Sequence, residues 1–355
     1  MSNQYIIPVF VPHLGCPHDC VFCNQKKITG LSTSVTTDEV QKIIDEHLDT
    51  FKKELKVEVA FYGGSFTAID INTQRALLSV PFEYKLNGRI DGIRLSTRPD
   101  AINHEILRML KDYGVDTIEL GVQSMDEYVL SQSERGHTQD DVIKSAKLIK
   151  DYGFSLGLQQ MVGLPGDSYE KDIDSTNKII ALEPDFIRIY PTLVIKGTEL
   201  ERMLKNGLYR PLSVDEAVNI SADILMMAVI NDIDVIRIGL QPTENIREGG
   251  DVVAGPFHPS IRQLTESRML IKLLEIWKNQ GNNSVFNGNW TIYCDKSYIS
   301  TVSGQKGTNK KAIKELFEIN NLKIKEAPLD KYVIVFEQED KVIEINLKEI
   351  MEISK

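Results

Sequence analysis

Cysteine is scarce in this chain: 4 residues in 355. That excludes a disulfide-stapled secreted scaffold and points to a reducing, cytoplasmic setting. Long apolar runs are missing too. Nothing approaches the roughly 18 consecutive apolar residues of a membrane span, so no membrane partner is expected. Positive charge is in deficit, with 41 Lys and Arg against 51 Asp and Glu and a formal net charge of -10. Whole-chain charge therefore argues against bulk, non-specific binding of nucleic acid, though it leaves room for a local basic patch. The opening stretch MSNQYIIPVFVPHLG has no basic region, and Pro8 and Pro12 break its alternating apolar run. It reads as a strand rather than a signal peptide. Repeats and low-complexity tracts are absent.

What is present is strand–helix alternation. Strand candidates begin at Tyr5, Lys56, Gly92, Asp116, Phe154 and Asp185, and VIRIGL from Val235 can add a seventh. Amphipathic segments lie between them. One, HTQDDVIKSAKLIKDYG, starts at the good N-cap Thr138 and ends at Gly153. Such alternation predicts a parallel sheet with crossover helices. Six units are too few to close an eight-unit barrel, so the expected α/β fold is a partial parallel (β/α)6 barrel over residues 1–282. Ligands in such folds sit at the C-terminal strand ends. There the chain carries His13 to Cys23, Gly63-Gly64, Ser96-Thr97-Arg98, Gln123 and Gly163-Leu164-Pro165-Gly166.

Three of the four cysteines fall in GCPHDCVFC, at Cys16, Cys20 and Cys23. Three thiolates on one loop can converge on one face of an iron–sulfur cluster, leaving one iron without a protein ligand. The alternatives are a structural zinc, with Cys294 or a histidine as fourth ligand, or three thiols without a metal. Zinc sites usually show paired Cys-x-x-Cys arms, and only one such pair exists here. Cys294, in a distant strand, is not expected to join a cluster.

On CPHDCVFC the chain is identified as a member of the radical S-adenosylmethionine (SAM) superfamily. The resemblance implies that Cys16, Cys20 and Cys23 bind a [4Fe–4S] cluster. In that family the open iron binds SAM, and reduction by a low-potential donor such as flavodoxin or ferredoxin cleaves it to a 5′-deoxyadenosyl radical. The resemblance also implies cofactor roles for individual residues. Phe22 holds the aromatic position before the last cysteine. Gly63 and Gly64, in FYGGSF, hold the SAM amino group by backbone; valine at Gly63 is then expected to weaken SAM binding and leave the fold intact. Ser96, Gln123, Arg135 and Gln159 resemble SAM-contacting positions of the coproporphyrinogen-oxidase-like branch, where Ser96 and Gln159 depart from the acidic residues usual there. Val162 and Gly163, in MVGLPGD, resemble adenine contacts. A plain βα turn is the other reading for the glycines, and a surface salt bridge with Glu134 or Asp140 for Arg135.

STRPD, ELGVQS, RGHT and GLPGD together resemble the Elongator catalytic subunit, a tRNA wobble-uridine modifier. This chain departs from it in closer cysteine spacing. Residues 283–355 also leave no room for an acetyltransferase domain, so the branch is carried over and the acetyl-dependent activity is not. Those residues read as strand, helix, tight loop, helix, strand, strand, and VSGQKGTNKKAI resembles the GxxG loop of a KH domain. The resemblance implies an α+β KH-like domain that binds RNA through Gly304, Lys306, Gly307, Lys310 and Lys311; a solvated lysine-rich helix start is the alternative. The stretch from Gln241 to Arg262, with Thr243, Glu244 and His258, reads as a substrate lid or a structural connection. Three functions compete: a radical SAM enzyme modifying RNA, with tRNA as the candidate; one acting on a small molecule or protein; and a non-catalytic iron–sulfur or zinc RNA-binding module.

Overall fold

The computed structural model describes residues 4–11, 16, 20–24, 35–50, 56–241, 246–247, 249–281 and 286–353. His13, Thr243, Glu244 and the expected boundary at 282–283 lie outside these residues. Seven strands form one sheet in the order β1-β2-β3-β4-β5-β6-β8. They are β1 (Gln4–Val11), β2 (Lys56–Gly63), β3 (Gly92–Thr97), β4 (Thr117–Gln123), β5 (Ser155–Val162), β6 (Phe186–Pro191) and β8 (Asp234–Ile238). Every neighbouring pair is parallel. The sheet curls into a half-barrel, as the alternation predicts. The short strands β7 (Val194–Ile195) and β9 (Val252–Ala254) pair antiparallel as a separate ribbon.

Helices follow the strands with the capping the sequence suggests. Thr138 accepts from the Asp141 N–H and Asp141 reciprocates, so helix Gln139–Asp151 starts on a capping box. The convex face of the sheet is apolar: Ile93, Leu95, Ile118, Leu120, Leu156, Leu158, Ile187 and Ile189 are fully buried under the helices. Period two sends the alternate residues to the concave face. There stand Tyr62, Arg94, Ser96, Glu119, Gln123, Gln159 and Arg188, which makes the hollow of the half-barrel polar.

A second sheet runs in the order β11-β10-β12-β13. Its strands are β10 (Asn289–Cys294), β11 (Asn321–Glu326), β12 (Val333–Gln338) and β13 (Lys341–Asn346). The element order predicted for residues 283–355 is present, and β13 is an addition. This unit is not packed on its own. Helix Ile261–Asn279 buries Met269, Leu270, Leu273 and Leu274, and its Trp277 stacks edge-on against Phe286 and Phe317 at 6.3 and 5.9 Å. Asn309 Nδ2 donates to the carbonyls of Ser267 and Thr301 at 3.1 and 2.8 Å, tying the start of helix Thr308–Phe317 to the same core.

Gly63 closes β2 at φ 111°, and a Cβ there would sit 2.3 Å from the Val11 carbonyl oxygen of β1. The glycine is therefore required by the neighbouring strand, whatever it does for a ligand, and the expectation that valine leaves the fold intact is corrected. Gly63→Val should push the end of β1 away and force a β-branched residue into positive φ. Strain of that kind costs on the order of 1–3 kcal/mol before the clash is added. Thermal melting should show a clearly lowered midpoint or insoluble protein; a wild-type midpoint would contradict the packing.

Candidate active site

The loop carrying the cysteines is fastened from several sides. The Val21 N–H donates to the Ser133 carbonyl at 3.2 Å, and the Leu200 N–H donates to the Val21 carbonyl at 2.7 Å. Val21 is buried with Val194, Leu200 and Tyr209, and half-buried Phe22 packs against them. The Cys23 N–H donates to the Cys20 carbonyl at 2.9 Å, turning the chain back between these two thiols. None of the four cysteines is in a disulfide, and Cys294 is buried in β10 of the second sheet. Among the described residues no three Cys, His, Asp or Glu side chains are already closed around a metal position.

Arg135 lies beneath the loop. Its Nη1 is 3.4 Å from Cys20 Sγ and its Nη2 donates to the Gly121 carbonyl at 2.7 Å, while its buried Nε has no partner. Arg135 is 7% exposed and is paired with neither Glu134 nor Asp140, so the surface salt-bridge reading is set aside. A buried guanidinium without a carboxylate needs an anion beside it, and thiolates supply one. Burial pushes the Cys16 thiol above its ordinary value, while Arg135 and Arg98 pull it down. Arg98 is 2% exposed; it is bidentate to Asp100, and donates to the Arg135 carbonyl at 2.7 Å. Its Nη1 and the Gln123 Oε1 are also buried without partners. These unmet polar atoms gather at the ends of β3 and β4, next to the thiols. The donor set therefore fits an anionic, thiolate-held group and a polar ligand beside it.

Deeper in the hollow stands Glu119, fully buried on β4. Arg188 holds it with two hydrogen bonds, at 2.7 and 3.0 Å, and Arg94 adds a third at 3.3 Å. Tyr62 OH and Gln159 Nε2 donate to the same carboxylate at 3.2 and 2.9 Å. Arg94 is paired in turn with Glu58. Burial and Glu119 keep the Tyr62 phenol protonated, well above its ordinary value. Gly157 makes room for this layer: a Cβ there would be 2.4 Å from the Phe186 ring, over which Arg94 lies.

The remaining sequence candidates divide by face. Ser96 and Gln123 are on the concave side, as expected, and Gln123 takes φ 67° at its strand end. Gln159 is there too, its amide already engaged by Glu119. Gly64 donates its N–H to the Val11 carbonyl at 3.3 Å. Val162 is on the convex side with no exposure at all, so its side chain cannot face a ligand and that expectation is corrected; Met161 takes the concave position instead. Gly163, at φ 74°, lets Leu212 pack close, and its carbonyl accepts from Tyr209 OH at 2.7 Å. In the Gln241–Arg262 stretch, Arg262 donates to the Val235 carbonyl at 2.8 Å and pairs with Glu266, and His258 Nδ1 accepts from the Ser260 N–H. Both serve the start of helix Ile261–Asn279. At the GQKG loop Gly304 is buried, with space for no Cβ between it and Asn309, whereas Lys306 and Lys311 are exposed, Lys310 is half-exposed and Gly307 faces open space.

Two family models match this chain: the radical SAM superfamily over residues 10–178 and the radical SAM C-terminal domain over residues 184–270. The chain belongs to the radical SAM superfamily. As a radical SAM enzyme it uses a [4Fe–4S] cluster and SAM. It is 27% identical over 311 residues to a tRNA uridine(34) acetyltransferase of Dehalococcoides mccartyi, covering 76% of this chain and 65% of that one. A protein so named from Methanocaldococcus jannaschii is 34% identical over 261 residues, covering 62% and 48%. An uncharacterised protein of the same archaeon is 31% identical over 230 residues, covering 62% and 70%. The solved structure of archaeal Methanocaldococcus infernus Elp3, with an N-terminal deletion, shares the fold at a TM-score of 0.62 and 24% identity, covering 77% of this chain and 64% of that one. This radical SAM chain thus spans 65% and 48% of the length of the two tRNA uridine(34) relatives. Among the described residues, no helix is long and apolar enough to cross a membrane.

Two features of this radical SAM site escaped sequence reading. The Glu119 network was signalled by single charged residues inside apolar parallel strands, Arg94 in GIRLST, Glu119 in TIELGVQ and Arg188 in FIRIYP. The other is His137 of RGHT. Its Nε2 bonds the Val122 carbonyl at 3.1 Å while Nδ1 is buried without a partner.

Two predictions follow from these charges. Glu119→Ala strands two buried arginines, and losing one member of a buried ion pair costs about 3–5 kcal/mol. Urea titration should show that loss, and a cost near zero would dismiss the network as structural. Burial, with Arg135 and Arg98, lowers the His137 imidazole to about 3. Its folded value is depressed, so the unfolded chain takes up the proton first. His137 should then cost stability as pH falls from the ordinary histidine value of about 6.5 toward 3. His137→Gln should flatten the melting temperature across pH 4 to 6.5 relative to wild type; parallel profiles would contradict the assignment.

Proposed function

We propose that this protein is a tRNA-modifying radical SAM enzyme whose cluster is held by Cys16, Cys20 and Cys23. The observation that carries the tRNA reading is the similarity to tRNA uridine(34) acetyltransferases, which extends over most of the half-barrel. Support for the cluster ligands comes from the fastened loop and from Arg135, whose uncompensated charge lies against Cys20. Bound there and reduced by one electron, the cluster would supply the electron that breaks the S–C5′ bond of SAM, giving methionine and a 5′-deoxyadenosyl radical able to remove a hydrogen atom from substrate.

The chain's own groups have narrower tasks. Arg135 offers its free Nε–H to anionic charge beside the thiols, and a planar guanidinium suits a carboxylate. Gln123 offers a buried carbonyl oxygen to a donor such as an ammonium or hydroxyl. Ser96 and Gln159 line the hollow beside them, and Gly63, Gly64 and Gly163 bring backbone to the rim. Phe22 holds the loop by packing. The closed Glu119 network leaves the floor of the hollow without net charge, Glu58 and Glu119 offsetting Arg94 and Arg188. RNA docking through the second sheet's unit rests on Lys306, Lys310, Lys311 and Gly307, since Gly304 is committed to the helix start.

Anaerobic reconstitution of Cys294→Ser should give the iron content of wild type, whereas Cys20→Ser should lose most of it; a large loss in Cys294→Ser would overturn the ligand set. Lys306→Glu with Lys311→Glu should weaken binding of a tRNA at least tenfold, with the salt dependence reduced by about two charges. Equal binding by this variant would move docking elsewhere. The function itself is tested by mass spectrometry of tRNA nucleosides from a strain lacking this protein. The reading expects one modified nucleoside to disappear; unchanged nucleosides would reject it.

A further inference from the structure

The charges on the concave face do not balance. Glu58 and Glu119 offset Arg94 and Arg188. Arg135 is answered at the cysteine loop. Arg237 remains. It lies on β8, the edge strand at the opposite end of the sheet from β1, half-buried and in register with Arg188 of β6. The register slips between Ile187 and Arg188, and this irregularity brings the two guanidinium residues opposite one another. Among the described residues Arg237 has no carboxylate partner and no hydrogen-bond acceptor. Like charges facing each other across two strands are destabilising. A half-buried cation in a concave, low-dielectric hollow is more costly still unless an anion joins it. Arg188 cannot share its carboxylate, because Glu119 is already occupied by Arg188, Arg94, Tyr62 and Gln159. Tyr190, two residues along β6, sits within electrostatic reach of both Arg188 and Arg237; its hydroxyl oxygen accepts from Arg188, which leaves its O–H to donate.

We propose that Arg237 and the Tyr190 hydroxyl form a phosphate-binding subsite at the β8 edge of the hollow, which holds a substrate phosphate while the reacting carbon faces the cysteine loop. The assignment of that phosphate to an RNA strand rests on the tRNA reading above. A free nucleotide or another small phosphorylated substrate presents the same group. The subsite explains why the chain tolerates two arginines in register at a sheet edge.

The test uses full-length protein with two probes, a labelled tRNA anticodon stem-loop and inorganic pyrophosphate, against wild type, Arg237→Gln, Arg237→Lys and Tyr190→Phe. Arg237 faces Arg188 and has no carboxylate partner to lose, so Arg237→Gln should melt no lower than wild type and Arg237→Lys close to it. Arg237→Gln should bind the stem-loop roughly tenfold more weakly, as loss of a hydrogen bond to a charged group implies, and lower the salt slope by about one. Arg237→Lys should recover part of the affinity, and Tyr190→Phe should lose a few-fold. If pyrophosphate binding depends on Arg237 while wild type does not bind the stem-loop, the subsite stands for a free phosphorylated substrate and the tRNA reading falls. If Arg237→Gln binds both probes as wild type does, or wild type binds neither, the subsite is overturned.

Discussion

The buried carboxylate of Glu119 is the constraint around which the half-barrel is built. An ionised group without water must be met by fixed donors, and here four side chains from β2, β3, β5 and β6 supply them. The network crosses the sheet from β2 to β6 and ties these strands together on the concave face. It also closes the floor of the hollow, so that chemistry is confined to the rim above it. Breaking it would leave guanidinium groups stranded in a low-dielectric cleft, which explains why the strands accept charged residues where parallel strands usually carry apolar ones.

Above that floor the rim is divided between structure and chemistry. Gly63 and Gly163 are required by close neighbours, the Val11 carbonyl and Leu212. Their glycine character is therefore set by packing, and any ligand contact comes through their backbone. Arg135 and Arg98 serve differently: both are buried, both have unmet N–H groups, and Arg135 touches a thiol. The rim is thus positively poised at the cysteine loop above a neutral floor, and Arg237 adds a further positive charge beside Arg188 at the β8 edge. An electrostatic pattern of this kind suits an anionic cofactor set at the loop and an anionic substrate group near Arg237.

Much of this was legible in the sequence. Alternating strand and helix signals define the parallel sheet, because period-two and period-3.6 patterns are local. The cysteine spacing marks the loop, because ligands on one loop need no tertiary information. What escaped were features that depend on which face a residue takes. Val162 reads as apolar and adjacent to a glycine motif, yet its parity on β5 sends it into the core. Arg135 reads as a cofactor contact or as half of a surface salt bridge, and only the turn after helix Glu127–Gln132, which carries it inward, decides between them. Asn309 reads as part of a lysine-rich surface helix, yet its amide is buried against Ser267 and Thr301. Inward and outward are set by packing between distant segments, which composition and spacing do not encode.

The central claim is that the Cys16–Cys23 loop, with Arg135 beneath it, holds a redox-active cluster that engages SAM. Electron paramagnetic resonance of the anaerobically reconstituted, reduced protein tests it most directly. The account predicts a [4Fe–4S]+ signal that changes on adding SAM, accompanied by 5′-deoxyadenosine. It would be contradicted by a fully loaded cluster whose signal ignores SAM and yields no 5′-deoxyadenosine, or by a loop that takes up only zinc.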